Sequence, residues 1–342
     1  MQKINIGIIG LKFGKTLIRR FASGMGSKYF NITAVCDIKK DLADALALET
    51  GAKAYYRLED LLSDPAIKVV GLFTGPHNRA NLIRQIIRSG RDVITTKPFE
   101  LDPVEAYSVL AEARNMGRIV HLNSPSPVLG DDLNKIFEWV NKYDLGKPIA
   151  CRCDIWTSHR EKADGGWHDN SILCPAAPIT RLGIYHINDM VRLFGEASQV
   201  HVIHSRLFTG RPTPDNAQLG ILFKNGAIGN IFASYCVNDS DRFTNTMLIN
   251  YENGTIYCVR KKGELVKLTL RTRDTAKGDI TCSQSVKSSS GEYRWDVLHN
   301  ALSGDLKNKI QKEADTHKYI VEGVKILHAM SRSEQSGHME IV

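Results

Sequence analysis

The chain has 342 residues, of which 42% are hydrophobic and 24% charged: too long for one small core and ordinary for a soluble globular protein of two domains. No apolar run approaches the ~20 residues that span a bilayer, and the opening Met1-Gln2-Lys3-Ile4 enters a strand at once with no signal peptide, so no membrane partner and a cytoplasmic location are expected. The net charge of +8 is dispersed, with Arg260-Lys261-Lys262 as its one tight run at a predicted hairpin, a pattern that argues against a nucleic-acid partner and for an anionic small molecule.

Ile4 to Ile9 reads as a near-continuous apolar strand that breaks at Gly10-Leu11-Lys12-Phe13-Gly14, with a helix expected from near Lys15. Strand, glycine turn and helix in that order let phosphates approach backbone N–H groups at a helix N-terminus. The glycine pattern is incomplete, because Lys12 and Lys15 stand where a full G-x-G-x-x-G needs glycine. The next strand, Ile32 to Cys36, ends in Asp37, at the distance where an acid receives the adenosine ribose hydroxyls. The competing reading makes Asp37 an N-cap for a helix from Lys39 to Leu48.

A helix from Leu58 to Leu62, a strand from Val69 to Phe73, the turn Thr74-Gly75-Pro76-His77 and a helix from Asn78 to Arg88 form the next unit. Repeats of this length predict a parallel, doubly wound sheet. Val93 to Thr96 then runs straight into Lys97. Pro98 forbids a helical backbone at Lys97, and strand carboxyl ends line the ligand crevice of such sheets, so this ammonium stands over a site. The bland alternative is a surface lysine in a turn. Asp102-Pro103 opens another helix, Ile119 to Leu122 closes the sheet, and Ser-Pro-Ser-Pro marks a boundary that puts a dinucleotide-binding domain at 1–123 and an α+β domain at 124–342.

After a helix from Leu129 to Tyr143 the period changes to two: Ile149–Thr157, Ser198–Leu207, Gln218–Phe223, Ala227–Tyr235, Thr246–Tyr251, Thr255–Arg260 and Glu264–Leu270 read as strands of a large, mainly antiparallel open sheet. Asn225-Gly226 and Asn253-Gly254 are hairpin signals. One helix, Ile179 to Gly195, interrupts them, and Leu182, Tyr185, His186 and Asp189 share a stripe that carries groups able to move a proton. The competing reading is a buried amphipathic helix. Thr316 to Ser333 is a closing helix expected to pack back on the first domain. Seven scattered cysteines without a CxxC or His-x-x-His pair suggest neither a disulfide framework nor a metal site.

Gly7-Ile8-Ile9-Gly10, Val35-Cys36-Asp37, Thr74-Gly75-Pro76-His77, Thr96-Lys97-Pro98 and Gly183-Ile184-Tyr185-His186, in that order and spacing, resemble the glucose-fructose oxidoreductase and inositol dehydrogenase (Gfo/Idh/MocA) family over essentially the whole chain. The resemblance implies a nicotinamide cofactor held by Gly10, Lys12, Phe13, Gly14, Asp37, Thr74, Gly75, His77 and Lys97. Asp37 favours NAD, and Lys39 and Lys40 keep NADP open. Lys97 matches the lysine of the family's Glu-Lys-Pro, with Thr96 in the glutamate position. Where the family offers Asp, Gly, His and Asp, this chain has Arg181, Gly183, Tyr185 and Asn188. Tyrosine there resembles the branch in which Tyr is the acid/base group, with His186 as the alternative base.

The expected activity is hydride transfer between nicotinamide and a secondary hydroxyl or carbonyl of a sugar, cyclitol or sugar derivative. Arg181 beside Lys97, with His168 on the rim, would suit an anionic substrate; otherwise Arg181 pairs with Asp189 or Asp169. A catalytically impaired NAD- or sugar-binding regulator is the alternative from another class. The open sheet face implies a homodimer or homotetramer.

Overall fold

The computed structural model describes residues 2–22, 24–158, 160–239, 243–261, 263–274, 278–287, 291–304 and 306–342, and not the side chains of 22, 274 and 306–315. Lys262 of the basic run lies outside the described residues. The chain divides into two compact units, Met1–Val128 with Glu292–Ile320, and Leu129–Gly291 with Val321–Val342. The change of period near residue 124 marks the first crossing, a second follows Gly291, and a third falls inside the last helix.

In the first unit β1 (Ile4–Ile9), β2 (Phe30–Cys36), β3 (Lys53–Tyr55), β4 (Val69–Leu72), β5 (Asp92–Thr95) and β6 (Val120–Leu122) form one sheet in the order β3-β2-β1-β4-β5-β6. All neighbours are parallel. Every residue of β4 and β5 is buried, as central strands of a sheet covered on both faces are. The helices are α1 (Leu11–Ala22), α2 (Gly26–Tyr29), α3 (Lys40–Thr50), α4 (Leu58–Leu62), α5 (Arg79–Arg88) and α6 (Pro103–Asn115). The Asp102 carboxylate caps α6, accepting from the N–H of Val104 at 2.7 Å and of Glu105 at 3.3 Å.

The sequence reading began α1 too late. Gly10 alone makes the turn, and the helix starts at Leu11. Gly10 has φ +83°, and a Cβ there would stand 2.7 Å from both Phe73 C and Thr74 N, so no other residue fits. Gly14 is used for packing: a Cβ on it would meet Ile8 Cγ2 at 3.2 Å.

In the second unit α7 (Asp131–Lys142) precedes β7 (Pro148–Thr157), a π-helical turn over Ile179–Gly183 leads into α8 (Ile184–Phe194), and β8 (Ala197–Ser205), β9 (Asn216–Phe223), β10 (Ile228–Ser234), β11 (Phe243–Tyr251), β12 (Gly254–Arg260), β13 (Val266–Asp274) and β14 (Gly278–Val286) follow. The short α9 (Trp295–Ser303) belongs to the first unit, where Trp295 meets Phe21 edge-on at 5.2 Å. The chain closes with α10 (Leu306–Ser336) and β15 (Glu340–Ile341). The second sheet has the order β14-β13-β12-β11-β7-β10-β9-β8-β15 and is antiparallel except where β10 runs parallel to β7. One face buries Cys151, Cys153, Ile155 and Ile231 beneath the π-helical turn and α8. The other leaves Trp156, Phe232, Leu248 and Tyr257 partly exposed and Ile203 and Ile228 exposed.

Arg260 does not belong to a surface patch. It is buried, with Nε 2.8 Å from Asp132 Oδ2 and Nη2 3.2 Å from Asp189 Oδ2, and it ties α7, β12 and α8 together. Removing one partner of such a buried group costs about 3–5 kcal/mol. Among the described residues no helix is long and apolar enough to cross a membrane, and no cluster of His, Cys, Asp and Glu is arranged for a metal.

Candidate active site

The strand order of the first sheet reverses between β1 and β4, and in such sheets the crevice lies at the carboxyl ends of the strands on either side. Gly10 follows β1, Asp37 follows β2, Thr74 and Gly75 follow β4 and Lys97 follows β5, so the fold gathers the sequence-predicted cofactor residues of this unit at one edge. Lys12 and Phe13 lie in the first turn of α1, both exposed, with the Phe13 ring edge-on to Phe73 at 6.3 Å. Asp37 Oδ2 accepts the Leu11 N–H at 2.8 Å and Oδ1 the Lys39 N–H at 3.0 Å. It therefore braces the start of α1, and α3 begins without a side-chain cap. A carboxylate offers about four acceptor positions, so two remain for ribose hydroxyls.

Lys97 is half-buried, its backbone N–H held by Asn123 Oδ1 at 3.1 Å. The turn around it is fixed by Arg79, the first residue of α5. The Arg79 side chain is buried and donates from Nη1 to Thr96 O at 2.6 Å, to Phe99 O at 3.3 Å and to Pro98 O, and from Nη2 to Thr74 O. One guanidinium thus ties the turn after β4 to the turn that carries Lys97. Burial pushes Arg79 down to about 10, opposed by the charge of Glu100, so it stays a cation at neutral pH. Glu100 Oε2 in turn accepts the Ala80 N–H at 2.7 Å at the start of α5. His77, expected at the cofactor, is exposed on the same turn.

The second unit carries the other set. Tyr185 is half-buried in the first turn of α8, and its ring lies against the backbone of Gly291: a Cβ there would stand 2.6 Å from Tyr185 Cε1 and 3.2 Å from the phenol oxygen. Gly291 has φ +76°, which suits glycine. The expected stripe of Tyr185 with His186 does not form. His186 is 0% exposed, neither ring nitrogen has a hydrogen-bond partner, and burial, with Arg260 adding, pushes it down to about 3. It is a neutral core residue, so of the two candidate bases only Tyr185 reaches solvent.

Arg181 pairs with neither Asp189 nor Asp169; its Nη2 lies 3.3 Å from Glu161 Oε2, and the guanidinium stands 5.0 Å over the Tyr235 ring. Asp189 is occupied by Arg260, and Asp169 Oδ1 lies 3.6 Å from Arg211 Nε. His168 is half-buried against Trp167, and burial, followed by Arg181 and Arg211, pushes it down to about 4.

The model of the oxidoreductase family with an NAD-binding Rossmann fold matches residues 4–124, and the model of the GFO/IDH/MocA C-terminal domain matches residues 133–257. The chain belongs to the GFO/IDH/MocA family. Levoglucosan dehydrogenase of Pseudarthrobacter phenanthrenivorans is 20% identical, over 94% of this chain and 90% of its own. The dehydrogenase aclE of Aspergillus oryzae is 26% identical over 60% of this chain, a match that spans 59% of that protein's length. Among solved structures, a putative NADPH-dependent oxidoreductase from Desulfitobacterium hafniense superposes with TM-score 0.78 at 12% identity, covering 100% of this chain and 98% of its own.

As a GFO/IDH/MocA member the chain is an NAD-binding oxidoreductase, and its glycine turn fits the cofactor. Backbone fills the place of a Gly10 Cβ, a helix N-terminus follows immediately, and the Asp37 carboxylate stands beside it. Sequence reasoning missed Arg79 and Gly291. The signal for Gly291 is the lone glycine after Ser288-Ser289-Ser290, and Arg79 carries none beyond its place two residues after His77.

Proposed function

We propose that the protein is an NAD-dependent dehydrogenase that oxidises a secondary hydroxyl of a sugar, cyclitol or sugar acid, or reduces the matching carbonyl. The observation that carries this reading is the pinned lysine turn: Arg79 and Asn123 fix the backbone around Lys97 at the carboxyl end of β5, in a family whose first domain binds NAD. Asp37 supports NAD over NADP, since a second anion on the ribose would meet its carboxylate. The sugar dehydrogenase among the relatives supports the substrate class.

In this reading the nicotinamide, when bound, supplies the hydride chemistry. The residues of the chain do the rest. Tyr185 accepts the hydroxyl proton as the carbonyl forms and returns it in the reverse direction, and the Lys97 ammonium serves as a hydrogen-bond donor at the carboxyl end of β5. Gly291 leaves room for the phenol ring. Assembly as a homodimer or homotetramer through the outward face of the second sheet belongs to the same proposal, because that face exposes apolar side chains.

The test is NADH formation across a panel of cyclitols, aldoses, sugar acids and sugar phosphates. Turnover of one member is expected. Binding without turnover across the panel would replace this reading with that of a regulator built on the same fold.

A further inference from the structure

The loop between β7 and the π-helical turn gathers charges that hydride transfer does not use. Glu161 Oε2 lies 3.3 Å from Nη1 and 3.3 Å from Nη2 of Arg181, and 3.3 Å from Nη2 of Arg211. Two guanidiniums therefore share one oxygen of one carboxylate. Charge-assisted pairs at their best close to about 2.7–2.9 Å with both oxygens engaged, so Glu161 is a poor match for the cations it holds.

The partners differ in how firmly they are fixed. Arg211 has a side chain only 5% exposed and also donates to Glu161 O and Lys162 O, both at 2.9 Å, so it is bound to the loop backbone. The Arg181 side chain is 21% exposed and stands over the Tyr235 ring, whereas that of Glu161 is 45% exposed. An ion pair with a half-exposed member is screened by water and worth little, so this contact is exchangeable. Among the described residues the acids within ion-pair reach of the two arginines are Glu161 and Asp169. Without Glu161 the group has two positive charges and one negative, the complement of a single monoanion. The lowered basicity of His168, in which both arginines take part, keeps that ring neutral.

We propose that Glu161 is an internal stand-in for a substrate carboxylate: it holds Arg181 in the unliganded chain and yields it to a sugar acid. Arg181 precedes Tyr185 by about one helical turn in the same unit, so the anion would be recognised close to the candidate base. A carboxylate fits better than a phosphate because the stand-in is itself a monoanion. The inference rests on the dehydrogenase reading for its substrate class.

Calorimetric titration of D-glucuronate and D-glucose into the full chain with NADH present tests it. Glu161→Gln is expected to tighten glucuronate about tenfold and Arg181→Ala to weaken it about tenfold, the worth of one charge-assisted contact, with glucose changing much less in both. Glu161→Asp, which keeps the charge but shortens its reach, should tighten glucuronate to a smaller degree and serves if the glutamine variant does not fold. Unchanged glucuronate affinity in the Glu161 variants, equal shifts for both sugars, or no glucuronate binding at all would overturn the proposal. No turnover is read, so this failure leaves the dehydrogenase reading standing, and a silent turnover panel leaves the binding result standing.

Discussion

Arg79 Nη1 lies 2.6 Å from the carbonyl oxygen of Thr96, the residue before Lys97, while Nη2 of the same guanidinium holds the carbonyl of Thr74. Two turns at neighbouring strand ends thus share one buried cation. Arg79→Ala leaves these carbonyls unsatisfied, each at a cost of roughly 1–3 kcal/mol, and should lower stability by at least about 3 kcal/mol in denaturant titration. Arg79→Lys keeps the charge but loses the planar fork. It is expected to fold and bind NADH while kcat falls at least about tenfold; wild-type kcat in this variant would show that the turn does not depend on the fork.

Asp37 contacts both Leu11 and Lys39, so Asp37→Ala removes an acceptor from the glycine turn as well as from the ribose. NADH affinity should fall about tenfold to a hundredfold, the worth of one or two hydrogen bonds to a charged group, while NADPH affinity falls less or improves. Fluorescence titration of both cofactors decides; tighter NADPH than NADH in the wild type would contradict the role given to Asp37.

These two residues mark what the sequence could and could not say. Gly10, Asp37 and Lys97 were legible because each sits at a fixed offset within one strand-turn-helix unit. The start of α1 was misplaced because Lys12 and Lys15 stretched the apparent turn, whereas the helix needs only Gly10 to begin. Nothing local marks Arg79; apart from Thr74, the carbonyls it holds lie 17 to 20 residues away at another strand end. Arg260 was read as part of a tight basic run at a hairpin because its acids are 71 and 128 residues distant. The edge strand β14 was missed since Gly278–Val286 is largely exposed and its alternation of Ile280, Cys282 and Val286 is sparse and broken at Gln284.

Acid sensitivity follows from His186. Its folded value of about 3 lies below the ordinary 6.5, so the unfolded chain binds the proton first and stability falls as pH drops from about 6.5 toward 3. At pH 5 this amounts to about 2 kcal/mol. Asp189, raised to about 6 by burial and by Asp132 against the pull of Arg260, acts oppositely, its contribution weakening as pH rises from about 4 to 6. Comparing wild type with His186→Asn isolates the histidine. The variant should lose less stability between pH 7 and 5, and parallel curves would rule out a neutral buried ring.

The outward face of the second sheet sets Leu248 of β11 between Arg152 of β7 and Tyr257 of β12. If copies associate there, Leu248→Glu buries a charge in the interface. Light scattering should give a dimer or tetramer for the wild type and a smaller species for the variant. A monomeric wild type at micromolar concentration would remove this part of the proposal.

The central claim is that Tyr185 handles the substrate proton. It is tested most directly by steady-state turnover of Tyr185→Phe and His186→Asn at neutral pH, with NAD and the best substrate of the panel. Loss of a general acid/base group costs roughly 100-fold or more. The account predicts that loss in kcat for Tyr185→Phe with NADH binding intact, and a change of only a few fold for His186→Asn. Turnover abolished by the histidine change alone, with Tyr185→Phe near wild type, would contradict it.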